Sequence, residues 1–221
     1  TGKAFDIPEA LLQSLIEGSI DSETLQQVFQ QLDEAVEGAG GNAGARAAAL
    51  IRLLRGLVSA VHDRAPQHEE RVMRDLAMAL GHASPELLVS LVAQAHEQSE
   101  AGSPVVDNVI ERIPDGTIAS FVAHQVVESG APLDRVAQAF HALVVDVDRR
   151  ERLVSMAYDT AIVSGAEGET FEQSWKAVAE RLLSQYSDEP FVSEQYAQQL
   201  TTVRAEAVDV EQTSDDPPER R

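Results

Sequence analysis

His68-Glu69-Glu70-Arg71-Val72 opens like a zinc-binding helix that pairs two histidines one turn apart. The second histidine is needed because two imidazoles on one helix face are the minimum that shares the metal. Val72 stands in its place, so the ligand set is incomplete. His62-Asp63 is half of a metal-dependent phosphohydrolase dyad, and no histidine precedes residue 62 to complete it. Ser59, Ser90, Ser120 and Ser155 are possible nucleophiles by type, yet none lies in a G-x-S-x-G turn. No glycine-rich loop follows a strand, so no nucleotide fingerprint is present. The acid pairs Asp146/Asp148 and Glu167/Glu169 fall in expected loops, where they serve as turn and capping residues. Cysteine is absent, which excludes disulfides and thiolate metal sites. These residues point to no catalytic centre, no metal and no cofactor, and the expectation is a non-enzymatic protein.

The four serines carry a different message. Each is the centre of a five-residue signature: Leu57-Val-Ser-Ala-Val61, Leu88-Val-Ser-Leu-Val92, Ile118-Ala-Ser-Phe-Val122 and Leu153-Val-Ser-Met-Ala157. The starts are 31, 30 and 35 residues apart. Self-similarity at such a period marks stacked repeats. On a helical wheel each serine lies opposite the apolar stripe, as an exposed small residue. A second stripe follows each signature. Met73, Leu76, Ala77 and Leu80 share columns with Val106, Val109, Ile110 and Ile113, then with Val136, Ala139, Phe140 and Leu143. Phe171, Trp175 and Val178 continue three of those columns. The spacing i, i+3, i+4, i+7 is one face of a helix. Each repeat is therefore a helix pair, and pairs must stack to cover both stripes.

The punctuation fits that pattern. Ser84-Pro85 and Ser103-Pro104 each place a hydroxyl cap before a proline at the first helical position. Pro114 and Pro132 follow Pro85 and Pro104 at 29 and 28 residues. Gly102, Gly130 and Gly165 fall where a left-handed residue ends a helix.

In period, helix-pair pattern and proline placement, residues 45–187 resemble the HEAT and armadillo-like α-solenoid superfamily. The Asp and Arg that HEAT second helices often carry are partly present, in Arg74-Asp75 and Asp134-Arg135, whereas Asp107 is followed by Asn108. The resemblance implies an all-α fold of stacked helical hairpins, about four repeats, whose curved inner surface binds partners. Around them the chain divides further. Residues 1–37 form an N-terminal helical hairpin, with Asp6 as a cap and Leu25, Val28, Phe29, Leu32 and Val36 as its stripe. Residues 38–44 carry glycine at four positions and read as a flexible linker or wide loop. Residues 188–204 form a capping helix bearing Phe191, Tyr196, Leu200 and Val203. Residues 205–221 are acidic, nearly devoid of apolar groups, and expected to be disordered.

Composition bounds the partners. The chain has 221 residues, 43% hydrophobic, enough for a sizeable core that is mainly aliphatic because aromatics are only 5%. Its net charge of −20 argues against a phosphate backbone or an anionic membrane surface as target. No run of 18 apolar residues occurs, since Arg52 and Arg55 interrupt the best candidate. The expected role is a cytoplasmic protein-interaction scaffold or regulatory module, part of a larger protein or complex, with a protein or peptide partner that can be basic. Two alternatives are a HEAT-like nucleic-acid-processing enzyme, which needs a basic concave face, and a small-ligand sensor with a pocket between helices.

The expected partner surface is a polar ladder on the second helices, at Asp75, Asn108, Gln138 and Gln173, flanked by Glu111, His141 and Lys176. Stacking would align these side chains to hydrogen-bond an extended or helical peptide. Trp175 occupies the column of Ile110 and Phe140 and is assigned to the core. Trp175→Ala is expected to destabilise the chain by about 3–5 kcal/mol, as deletion of a buried aromatic does, and chemical denaturation measures it.

Overall fold

A computed structural model of the protein describes residues 7–184, and those residues form ten α-helices and no strand. The expected cap Asp6, the capping helix 188–204 and the acidic tail 205–221 lie outside the described residues. No helix among the described residues is long and apolar enough to cross a membrane.

A hairpin of α1 (Glu9–Glu17) and α2 (Ser22–Gly38) precedes four helix pairs. These are α3 (Ala43–Arg64) with α4 (Glu69–Leu80), and α5 (Pro85–Glu100) with α6 (Val105–Ile110). Then come α7 (Asp115–Ala123) with α8 (Leu133–Leu143), and α9 (Val147–Val163) with α10 (Glu169–Leu183). The four serine signatures fall on α3, α5, α7 and α9, the first helix of each pair. Their apolar columns are buried, as Leu57, Leu88, Ile118 and Leu153 show. The second-helix stripes are buried too, through Leu76 and Leu80, Val106 and Val109, Val136 and Phe140, and Trp175 and Val178. Trp175 packs beside Tyr158 and Phe171, with ring centroids 5.8 and 5.9 Å away. Ser59, Ser120 and Ser155 are exposed and Ser90 is half-buried.

Local chemistry sets the helix ends. The Ser84 hydroxyl caps α5 by accepting from the Leu87 amide at 3.3 Å, with Pro85 at the first helical position. Ser103 does not cap α6 as expected, because Pro104 holds the N-cap position and no side-chain bond is made there. Gly102, Gly130 and Gly165 all adopt left-handed φ, at 91°, 62° and 96°. After α7 the chain widens into a π-helical turn, His124–Glu128, before it reaches Gly130.

The glycine-rich stretch is narrower than the expected linker 38–44. Gly38 ends α2 and Ala43 and Gly44 open α3, which leaves the loop Ala39–Asn42. The Gly41 amide closes that loop on the Val36 carbonyl at 2.8 Å, and Asn42 caps α3. The hairpin shares the main core through Leu12, Leu15, Leu25 and Phe29. Arg71 of α4 donates to the carbonyls of Leu15 and Ile16 at the end of α1, where the helix dipole favours a cation. Gly18 beside it has φ 69°, and a side chain there would collide with the Arg71 guanidinium.

Stacking between pairs follows two rules. Within each half, like packs on like: α3 on α5, α4 on α6, α7 on α9 and α8 on α10. Between the halves, α5 packs on α8. Several of the helix contacts, though not α3 on α5, carry an ion pair in which a later arginine reaches back to an earlier carboxylate. Arg46 binds Asp33 through two 2.6 Å bonds, and Arg112 binds Glu70 at 2.9 Å. Arg135 of α8 binds Glu86 of α5, and Arg149 of α9 binds Asp115 of α7 at 2.7 Å. Arg181 of α10 binds Asp134 of α8 at 2.9 Å. Asp134 and Arg135 thus tie α8 forward to α10 and back to α5.

The buried Arg181 makes Asp134 the costly link to cut. Asp134→Ala is expected to destabilise by about 1–3 kcal/mol, the penalty of removing a partner from a buried charged donor. Arg74→Ala, which removes an exposed pair with Glu70 four residues away, should cost less than about 0.5 kcal/mol. Urea denaturation of both variants tests the contrast.

Candidate functional site: a groove between α5, α8 and α9

An open groove of about 650 Å³ lies beside two of the expected partner-binding residues. Val89, Val92, Ala93 and His96 of α5 form one wall, and Gln138, His141 and Ala142 of α8 form the other. Arg150, from the first turn of α9, closes one end. α5 builds this wall because it is apolar on more than one face. Leu88, Leu91 and Ala95 face the core, while Val89 and Val92 are only half-buried and Ala93 is exposed. The result is an apolar floor with a polar rim.

The rim is held by hydrogen bonds to backbone. The Nε of Arg150 donates to the Val144 carbonyl at 2.6 Å, which fixes the guanidinium at the mouth. The Nε2–H of His141 donates to the Leu182 carbonyl at 2.6 Å and so anchors α10 to α8. Burial pushes the His141 imidazole below its ordinary pKa; the bond to Leu182 opposes this, and the nearby Arg150 and Arg181 reinforce it. On the outer edge, Nε2 of His96 lies 3.4 Å from Glu100.

Of the seven expected partner residues, the structure brings two together. Gln138 and His141 meet in the groove, and His141 is buried rather than presented to solvent. Asp75 sits half-buried, 3.8 Å from Arg71, within the network that docks the N-terminal hairpin. Burial raises the Asp75 pKa, and Arg71 lowers it to a lesser degree. Asn108 is half-buried and its carbonyl accepts from Arg112. Glu111 and Lys176 are exposed, and Gln173 donates to Glu169 one turn earlier at 3.5 Å. The α5–α8 contact turns Gln138 and His141 of α8 toward Val89, Val92 and His96 of α5.

Val89, Val92, Ala93, His96 and Arg150 were not among the expected site residues. The signal for the first three was present in the sequence: Val89 and Val92 are apolar positions beside, not on, the buried stripe of their helix. Of the near-miss histidines, His62 makes an ion pair within the fold. The Nδ1 of His62 bonds the Glu69 carboxylate at 2.7 Å, which raises its pKa. Among the described residues, no three His, Asp or Glu side chains converge as metal ligands would. Comparison with family models, curated proteins and solved structures gives no match to this chain.

His141 gives the groove a pH signature. Its folded-state pKa is depressed, so the folded chain binds fewer protons than the unfolded chain below about pH 6.5. The stability it contributes is full above that value and is lost as pH falls through the folded pKa. His82, lowered first by burial and then by His124, acts in the same direction. His141→Gln keeps a donor for Leu182 and removes the titration. It should lessen the drop in melting temperature between about pH 7 and about pH 5. An unchanged drop would assign the effect to His82.

Proposed function

We propose that this protein is a non-enzymatic interaction scaffold of stacked, HEAT-like helix pairs, and that the α5–α8–α9 groove is its partner-binding site. One observation carries the proposal. The groove joins an apolar floor of Val89, Val92, Ala93 and Ala142 to a rim of His96, Gln138, His141 and Arg150. An apolar strip with a few fixed polar groups suits the helix-in-groove mode, in which a partner helix lays its apolar face down and its ends are read by the rim. The open form favours a peptide over an enclosed small molecule, which buries most of its surface in a pocket. The strong negative charge of the chain favours a partner whose surface is basic around the inserted face, since long-range attraction speeds encounter.

Affinity capture from native lysate with the full chain as bait tests this reading. The double variant Ala93→Glu with Gln138→Ala places a charge on the floor and removes a rim donor. It should weaken retention of the captured protein at least about tenfold, equivalent to about 1.4 kcal/mol. Gln173→Ala, which lies away from the groove, should leave retention unchanged. Melting temperatures of all variants should match the parent. Equal capture by the groove variant and the parent would remove the groove from the interface.

A further inference from the structure

A second concavity lies on another face of the molecule and has opposite chemistry. It is an open groove of about 340 Å³ between α3 and the start of α6, lined by Arg52, Arg55, Gly56, Ser59, Ser103 and Val105. Among the described residues, no carboxylate lines it. Arg52 and Arg55 are exposed, three residues apart on α3, and therefore on one side of the helix. Neither forms an ion pair among the described residues.

Among the described residues Arg150 and Arg152 are the other arginines without an ion pair, and Arg150 is held by the Val144 and His141 carbonyls instead. The chain carries 37 acidic and 17 basic residues, so carboxylates are in excess everywhere. Every other arginine from α1 to α8 has found one: Arg46, Arg64, Arg71, Arg74, Arg112 and Arg135. Two guanidinium groups left together repel each other unless an anion lies between them. The hydroxyls of Ser59 and Ser103 open on the same groove, and that of Ser103 is not spent on capping α6.

We propose that this groove is a binding site for a dianionic phosphoryl group carried on a peptide side chain. Charge selects phosphate over carboxylate. One guanidinium fork satisfies one carboxylate, whereas two forks and two hydroxyls match the double charge and three acceptor oxygens of a phosphate monoester. The site does not depend on the α5–α8–α9 groove, so either can fail alone. It makes the partner's phosphorylation a condition of contact at the α3 face, in a chain whose net charge is −20.

The test is an NMR titration of the full chain that follows the arginine Nε–H signals and the Ser59 and Ser103 amides. The probes are a short phosphoserine peptide, the same peptide with glutamate in that place, and inorganic phosphate. Saturable shifts at Arg52, Arg55, Ser59 and Ser103 are expected, with the phosphopeptide bound at least about tenfold tighter than the glutamate peptide. Arg52→Gln with Arg55→Gln should abolish the shifts at the serine amides with no change in melting temperature, because both side chains are exposed. Arg52→Lys with Arg55→Lys should retain part of the binding, since charge is kept and the forks are lost. Inorganic phosphate bound as tightly as the phosphopeptide would support the site and make the free ion its ligand. Equal binding of the glutamate peptide, shifts spread over all arginines, or undiminished binding in the glutamine variant would overturn the proposal.

Discussion

The contact of α5 against α8 is the constraint on which the second half of the molecule depends. A regular stack would place α5 on α7, as α3 lies on α5 and α7 on α9. The lengths of the helices prevent it. α6 has six residues, so it extends roughly 9 Å, whereas the eleven residues of α8 extend roughly 16 Å. The short helix cannot cover the stripe that contains Val136, Ala139 and Phe140, all of which are fully buried. α5, with sixteen residues and apolar groups on more than one face, covers it instead. Burying a side chain such as Phe140 is worth about 1.5–3 kcal/mol, more than the register of a repeat can oppose.

Ion pairs then favour some of these contacts over others. In a chain of net charge −20, helix surfaces repel by default. An arginine that reaches back to a particular carboxylate relieves this at one register and at no other. Such half-exposed pairs each add little to stability, about 0–1 kcal/mol. Their larger effect is on specificity, because a wrong pairing brings acid against acid. Arg135 with Glu86 marks the α5–α8 joint in the same way that Arg112 with Glu70 marks α4–α6. The irregular contact is therefore encoded by charge as well as by apolar area.

The helix pairs were legible in the sequence because an apolar stripe is a local property. The columns through Leu57, Leu88, Ile118 and Leu153 declare themselves within eighteen residues, and so do the left-handed Gly102, Gly130 and Gly165 that follow the last three. The relation between pairs is not local. The polar positions Asp75, Asn108, Gln138 and Gln173 share a column by period, yet whether columns align in space depends on helix length and on which faces meet. Composition misleads in a related manner. The glycines after α2 suggest looseness, but glycine grants permission for a backbone shape and does not by itself confer motion. Here Gly40 uses a φ of 83° to make a short turn. His141 looked like a surface donor because it sits beside a polar column, and only the position of α10 reveals the carbonyl of Leu182 as its partner.

This distinction bears on where function resides. A perfectly periodic scaffold shows similar side chains at every level, so a partner can slide from one level to the next with little loss. Discrimination requires a place that occurs once. The α5–α8 joint, like α3 against α6, brings a first helix beside a second helix from a different pair, and its groove has a lining of its own. Val89 and Val92 of the signature thereby face Gln138 and His141 of the second-helix column, a combination that the other levels do not build. Arg52 and Arg55 depart from the pattern in charge as the joint departs from it in register. In both cases the candidate chemistry lies where one helix pair differs from the others.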